Sequence, residues 1–380
     1  MSSKSRGVAA LAAALVVTVV TLAPVALGQG GIVGAPISIP IGMLEPFYLK
    51  TVIYCSVSQN DSIYRYVVDG DPVTEIIFRP VAGPANECHA PTGFEVVNAK
   101  TLYWINGGAT GTDTIEIRAC PIQEGGVGVA PSKPLSCSSA APLNHPRCLQ
   151  FVPSKAPAPV TDALVWFDYT YTTGATIPYS AYVVWQSLSA TASPCGGRIA
   201  FRYEQPEIPA IDRAGDAAIG VIGGRAWVFW VANTLLQCAP LDDPTFVVYL
   251  RAFPLFAAPS GIQVVGDRLY WCTPSDTSGY GTTGTAATYC TIADDGTVNH
   301  QLYIASPDVE IKCPEAKMPR LPYVAGRTLY WLDQVGKIYS CPLTGGSGQL
   351  IADMRALLGE SDVWVDEMQV VVEFVSGGTP

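Results

Sequence analysis

Three histidines, His89, His145 and His300, are the only imidazoles in this 380-residue chain. They stand far apart, each beside cysteine, proline or polar loop residues. A zinc site or a general acid–base site wants two or three imidazoles, thiolates or carboxylates converging. Distant loops can converge, so spacing alone does not exclude such a site, but a surface histidine is the commoner explanation. Neither a Gly-x-Ser-x-Gly elbow nor a His-Glu-x-x-His helix is present. Gly345-Gly346-Ser347-Gly348 reads as a flexible turn rather than a nucleophile elbow. Asp69-Gly70-Asp71 and Asp294-Asp295-Gly296 could offer oxygens to calcium, yet neither has the alternating ligand ladder that ends in Glu. Turn chemistry explains both, and Asp242-Asp243 as well. The sequence therefore names no catalytic, cofactor-binding or metal-binding residue, with calcium the one cofactor left open.

Cysteine chemistry is a stronger signal. Eleven cysteines follow a start that reads as an export leader. Lys4 and Arg6 precede an uncharged Ala/Val-rich run, Gly7 to Leu27, and Ala26-Leu27-Gly28 offers small residues for cleavage before Gln29. Residues 1–28 are thus expected to be a signal peptide, although the run is also long enough for an uncleaved anchor. Beyond it, no stretch reads as a membrane span. In an oxidising compartment thiols become disulfides, and an odd count leaves one thiol free or joined to another chain. Formal charge is −10, with 22 Lys plus Arg against 32 Asp plus Glu and no basic run, which argues against nucleic acid and anionic membranes. Asn60-Asp61-Ser62 is a glycosylation sequon on an expected hairpin tip.

The elements that would position these groups are short strands in a recurring grammar. An apolar strand ends in a large aromatic six times: at Tyr54, Trp104, Trp185, Trp230, Trp271 and Trp331. In the fifth unit, residues 261–265 form a strand, Gly266-Asp267 a tight turn and residues 268–272 the second strand. Residues 288–292 and 301–304 supply the third and fourth. Third strands align at 62–68, 114–120, 198–203, 235–238, 288–292 and 337–341. Four carry a cysteine: Cys120, Cys238, Cys290 and Cys341. Equivalent places on separate units lie too far apart to bond one another. Candidate pairs are Cys55 with Cys88, Cys272 with Cys290 and Cys313 with Cys341, and sequence alone does not fix the connectivity. Strand repeats near this period predict an all-β propeller of four-stranded blades.

Six blades are expected across residues 29–380, closed by the C-terminal strand 368–375, which completes a first unit lacking its own first strand. Seven remain open if residues 36–41 and the tail form another blade. A long step between Trp104 and Trp185 is read as a Pro/Cys-rich insertion around 121–160, containing Cys137 and Cys148. Trp166, Tyr169 and Tyr171 fall outside the repeat. They form an aromatic cluster that packs its own unit or binds a partner or glycan. Trp364 lies outside it too.

Leu329-Tyr330-Trp331-Leu332-Asp333, with Leu269-Tyr270-Trp271 and Leu102-Tyr103-Trp104, resembles the second strand of the YWTD (low-density-lipoprotein-receptor class B) propellers. The resemblance covers most of the chain in rhythm but is specific only in those motifs. It implies six blades, strands from both chain ends sharing one blade, and a binding scaffold without a specified ligand. Only the sixth unit has an acidic residue at the motif's fourth place, Asp333. The second has Asn106 and the fifth Thr273.

These features favour a secreted, disulfide-stabilised, non-catalytic module for protein interaction or extracellular structure, with other extracellular proteins, itself or glycans as partners. The alternative is a propeller enzyme, a metal-assisted lactonase, esterase or lyase with its site in the central channel.

Overall fold

A continuous apolar run along each aromatic-bearing strand, such as Leu102-Tyr103-Trp104-Ile105, puts apolar side chains on both faces, so the strand needs a neighbouring sheet on each side. The computed structural model shows this arrangement. It describes residues 47–376 apart from 71–76, 92, 108–114, 124–126, 135–145, 153–161, 171–179, 189–196, 203–216, 233–234, 244–245, 254–258, 274–283, 298–299, 317 and 334. All described residues belong to the compact unit Pro46–Pro380.

The molecule is all-β, built from antiparallel sheets in a propeller arrangement. The first sheet runs Glu367–Ser376, Phe47–Val57, Ser62–Val67, Phe78–Ala82, and the second Gly93–Val97, Thr101–Asn106, Glu116–Pro121, Lys133–Pro134. The third is Pro146–Val152, Ala163–Thr170, Ser180–Ser187, Gly197–Arg202. The fourth is Ala217–Ile222, Arg225–Ala232, Leu235–Pro240, Val248–Ala252. The fifth holds Ile262–Val265, Arg268–Trp271, Thr285–Asp294, Leu302–Ile304 and Val309–Lys312. The sixth holds Arg320–Ala325, Thr328–Leu332, Lys337–Pro342 and Gln349–Asp353.

Three expectations need correction. Five four-stranded blades are described, not six, because the fifth sheet has five strands. Its long strand Thr285–Asp294 pairs with Leu302–Ile304 at one end and Val309–Lys312 at the other. Pro307, which has no N–H to give a ladder, lies between the two pieces and splits the fourth strand. Second, the stretch around 121–160 is not only an insertion. It supplies the outermost strand of the second sheet and the innermost strand of the third. Third, the third unit was misread by one strand. Val183-Val184-Trp185 is its third strand and Arg198 belongs to its fourth, while Trp166 stands on the second strand, where Trp104 stands in the second sheet. The strand expected around residues 36–41 lies outside the described residues, as do residues 1–28.

Apolar layers fill the spaces between sheets. Leu102 and Trp104 face the first sheet, whereas Ile105, next along the strand, faces the third. Trp166 packs on Val97, Ile105 and Ile117 of the second sheet, Trp230 on the third, Trp271 on the fourth and Trp331 on the fifth. Ile53 and Cys55 share a layer with Tyr330 and Leu332 of the sixth sheet. Each Trp buries an area worth several kcal/mol in one such layer.

Glu367–Ser376 pairs with Phe47–Val57 through an unbroken register from Ser56↔Glu367 to Phe47↔Ser376. A buried ion pair ties the same sheet together: Arg65 Nη2 meets Glu373 Oε2 at 2.7 Å, and Tyr54 donates its hydroxyl to Glu373 Oε1 at 2.7 Å. Among the described residues no helix is long and apolar enough to cross a membrane.

Candidate functional site

One edge strand of each of the six sheets has a ladder partner on one side only, which leaves backbone donors on the other side in need of acceptors. These six edges line a common cavity of about 190 Å³. Near the middle of most of them the sequence places a polar residue between apolar ones: Glu95, Gln150, Gln263, Tyr323 and Gln369. The fourth sheet has Ile219 in that place. The apolar neighbours of each, such as Phe94 and Val96, Leu149 and Phe151, or Met368 and Val370, pack into one layer against the preceding sheet, so strand parity turns the polar side chain the other way, toward the next sheet at the cavity.

There the side chains join one sheet to the next. Gln369 Oε1 accepts from Val96 N at 2.8 Å, and its Nε2 donates to Glu95 Oε1 at 2.8 Å. Glu367 Oε2 accepts from Phe94 N at 2.5 Å, so two side chains of the first sheet hold the open edge of the second. Glu95 in turn accepts from the backbone of Phe151 in the third sheet. Gln150 Oε1 accepts from Ile219 N at 2.8 Å while its Nε2 donates to Ala217 O at 2.9 Å, clasping the fourth. Gln263 Oε1 accepts from Val324 N at 2.6 Å, joining the fifth sheet to the sixth, and Tyr323 bonds Gln369 to join the sixth to the first. At the cavity the contact between the fourth and fifth sheets is apolar, while further out Arg251 Nη1 of the fourth pairs with Asp308 Oδ2 of the fifth at 2.5 Å. Gly220 lies so close to Val264 that a β-carbon would sit 2.4 Å from its Cγ1.

Burial dominates the protonation of this site. It pushes the Glu95 carboxyl up to about 8, against the lowering effect of its bonds from Gln369 and Phe151. Glu367 is also held well above the ordinary carboxylate range, first by burial and then by the charges of Glu95 and Asp366. The Tyr323 hydroxyl is raised by burial and by Glu95. Among the described residues no Lys or Arg lines the cavity to offset these carboxyls, so near neutrality Glu95 favours the protonated form and Glu367 is shifted in the same direction. Chemically the site can hold protons on two carboxyls and accept a few waters or a small polar molecule. Its volume falls below the roughly 300–1,000 Å³ of drug-sized ligand pockets.

The residues singled out from sequence lie elsewhere. His89 is exposed, with its backbone N–H donating to Asn106 Oδ1 at 2.6 Å. His300 is exposed and bonds Asp294 Oδ2 through Nδ1 at 2.8 Å. His145 lies outside the described residues, as do Cys137 and Asp71. Asp294 and Asp295 accept from backbone N–H groups of their own turn, and Asp242 pairs with Arg225 at 2.7 Å. Asp333 accepts from Val335 N and Lys337 N within its own hairpin. Asn60 Nδ2 donates to Glu360 Oε1 at 3.2 Å. Trp364 is partly exposed beneath the Arg320 guanidinium, 4.2 Å from the ring centre. Among the described residues no three His, Cys, Asp or Glu side chains group as metal ligands would.

Two of the three cysteine pairings need correction. Cys55 faces the sixth sheet and Cys88 lies in the layer between the first and second, so they sit on opposite faces of the first sheet. Cys272 faces the sixth sheet and Cys290 the fourth. Side chains on opposite faces of one sheet cannot be bridged without moving backbone. Cys313 and Cys341 share one layer.

Sequence reasoning passed over Glu95, Gln150, Gln263, Tyr323, Glu367 and Gln369. Their one signal was a polar residue inside a short apolar strand, which a half-solvated strand shows equally.

No protein-family model matches the chain, and no curated protein matches it. Solved structures do. A chain of the nidogen/laminin complex aligns at 12% identity and TM-score 0.46, covering 84% of this chain and 98% of that one. Virginiamycin B lyase from Staphylococcus aureus aligns at 11% identity and TM-score 0.40, covering 78% and 85%. A puromycin hydrolase aligns at 11% and 0.45, covering 80% of this chain and 52% of its own. At this level of likeness none of their activities transfers to the chain.

Proposed function

We propose that this chain is a secreted β-propeller that serves as a non-catalytic module for protein interaction or extracellular structure. The observation that carries the reading is the use made of the cavity's polar atoms. Gln150, Gln263, Gln369 and Glu367 bond the edge backbone of the next sheet, which spends on architecture the groups that a substrate would have to engage. Binding is then left to the outer surface and loops, the usual seat of function on a rigid scaffold. Export is supported by the apolar leader, and a disulfide-stabilised state by the cysteine content.

One observation favours the second reading, a hydrolase or lyase working in the channel. Two carboxyls with raised proton affinity in a cavity are what general acid–base chemistry uses. One experiment separates the two. Protein recovered from culture medium is sequenced at its N-terminus, tested for assembly by analytical ultracentrifugation, and assayed against ester, lactone and uronide substrates with and without calcium. The interaction reading expects a start at Gln29 and no turnover. Turnover that disappears in both Glu95→Gln and Glu367→Gln would replace it with the enzymatic one.

A further inference from the structure

The nine described cysteines are all buried, and four of them, present as free thiols in this structure, fall into a repeated arrangement. Cys120 lies on the third strand of the second sheet, opposite Leu102 and followed by Pro121. Cys341 lies on the third strand of the sixth sheet, opposite Leu329 and followed by Pro342. Both therefore face the preceding sheet, like the Leu across from them. Cys88 sits in the segment that leads from the outermost strand of the first sheet to the innermost of the second. Cys313 sits in the matching segment between the fifth and sixth. Cys88 and Cys120 share one apolar layer. Cys313 and Cys341 share another, their thiols within hydrogen-bonding reach.

A glycine covers a sulfur in each case. A β-carbon on Gly128 would stand 3.0 Å from Cys120 Sγ, and one on Gly348 would stand 2.4 Å from Cys313 Sγ. Both glycines lie between the third and fourth strands of their sheets. The two blades thus share a connector cysteine and a strand cysteine in one layer, with a glycine against the strand sulfur in the first case, where Val81 O is nearer still, and against the connector sulfur in the second.

We propose that Cys88–Cys120 and Cys313–Cys341 are disulfides, each stapling an inter-sheet connector to the third strand of the sheet it enters. In each bridge two thiols lose two protons and two electrons. The acceptor is a disulfide oxidant, a protein dithiol–disulfide carrier or oxidised glutathione, which is reduced to two thiols. The fifth sheet provides an internal control. Cys290 occupies the equivalent place opposite Leu269, but no cysteine lies among residues 253–261 ahead of that sheet. Cys238 shares the layer of Cys290, but it stands on the third strand of the fourth sheet and not in a connector, so Cys290 stays a thiol. The bridges rest on the proposed export only for their oxidising surroundings, and the test does not depend on it.

Protein refolded in a glutathione redox buffer is alkylated in denaturant and digested without reduction. Peptide mapping should recover a Cys88 peptide linked to a Cys120 peptide and a Cys313 peptide linked to a Cys341 peptide, with Cys290 alkylated. In Cys313→Ser, Cys341 should become fully alkylated while the Cys88–Cys120 link persists. Persistence of that link also shows that the variant folds. Links of Cys88 or Cys313 to any other cysteine, or complete alkylation of all four in folded protein, would overturn the proposal. Where the bridges form but the protein is not exported, the functional reading fails and this one stands.

Discussion

Replacing Glu95 with Gln should flatten the dependence of stability on pH. In the folded chain burial raises this carboxyl from 4.5 to about 8. Below the unfolded value both states hold the proton, and the group costs nothing. As pH rises, the unfolded chain gives up the proton and the folded chain keeps it, so stability falls by up to about 1.4 kcal/mol per pH unit. The loss ends once the folded carboxyl ionises too, near pH 8. Integrated over that window, the term amounts to at most roughly 5 kcal/mol, and water entering the cavity would reduce it to about 2–3 kcal/mol. Glu367, raised for the same reason, acts in the same direction and remains in the variant. Glu95→Gln keeps the shape and one acceptor oxygen, at a cost near 1 kcal/mol for an imperfect bond to Phe151 or Gln369. Urea unfolding of both proteins at pH 5, 6, 7, 8 and 9 reads the difference directly. The variant should be equal or slightly weaker at pH 5 and stronger by about 1–2 kcal/mol at pH 8, with about 4 kcal/mol as the ceiling if the cavity stays dry. Parallel curves, or a wild type that gains on the variant as pH rises, would refute the argument that Glu95 is an uncompensated buried acid.

Other consequences follow from the same packing. Trp166→Ala, which empties a fully buried site between the second and third sheets, should cost about 3–5 kcal/mol by denaturant titration. Glu373→Gln removes the charge facing buried Arg65 and should cost about 3 kcal/mol near neutral pH by the same measurement. Gly220→Ala drives a methyl into Val264 where the fourth and fifth sheets meet at the cavity and should cost about 1–3 kcal/mol in thermal unfolding. Deleting residues 367–380 removes an entire strand from the first sheet, together with the Gln369 and Glu367 clasps. The truncated chain should show no cooperative melting transition.

Strand rhythm was legible because the aromatics are large, buried and placed once per sheet, and the fourth to sixth units align on them without ambiguity. The third unit misled because it carries two candidates. Trp166 and Trp185 both end apolar runs, and the second of these lies on the third strand. Equal spacing favoured Trp166, which divides the distance from Trp104 to Trp230 nearly in half. The split fourth strand of the fifth sheet was also open to reading, since Pro307 cannot continue a ladder.

Cysteine pairing failed for a reason that strand parity could have exposed. Trp271 and Cys272 are adjacent on one extended segment, so they must point to opposite faces. Leu269 and Trp271 face the fourth sheet, and Cys290 is directly across from Leu269, which puts Cys290 on their face and Cys272 on the other. The same parity places Cys120 with Leu102 and Cys341 with Leu329, toward the connector that enters each sheet. What sequence could not supply was the register, and register depends on turns read only approximately. The cavity residues were hidden more deeply. A glutamine in a short apolar strand has the same appearance whether it meets solvent or the open backbone of a neighbouring blade. Only the assembled edges show that Gln150, Gln263 and Gln369 stand on alternate sheets, each reaching forward to the next. With Glu95 on Phe151 and Tyr323 on Gln369, five of the six seams carry a polar bond at the cavity, and the sixth, apolar there at Gly220 and Val264, is tied further out by Arg251 and Asp308.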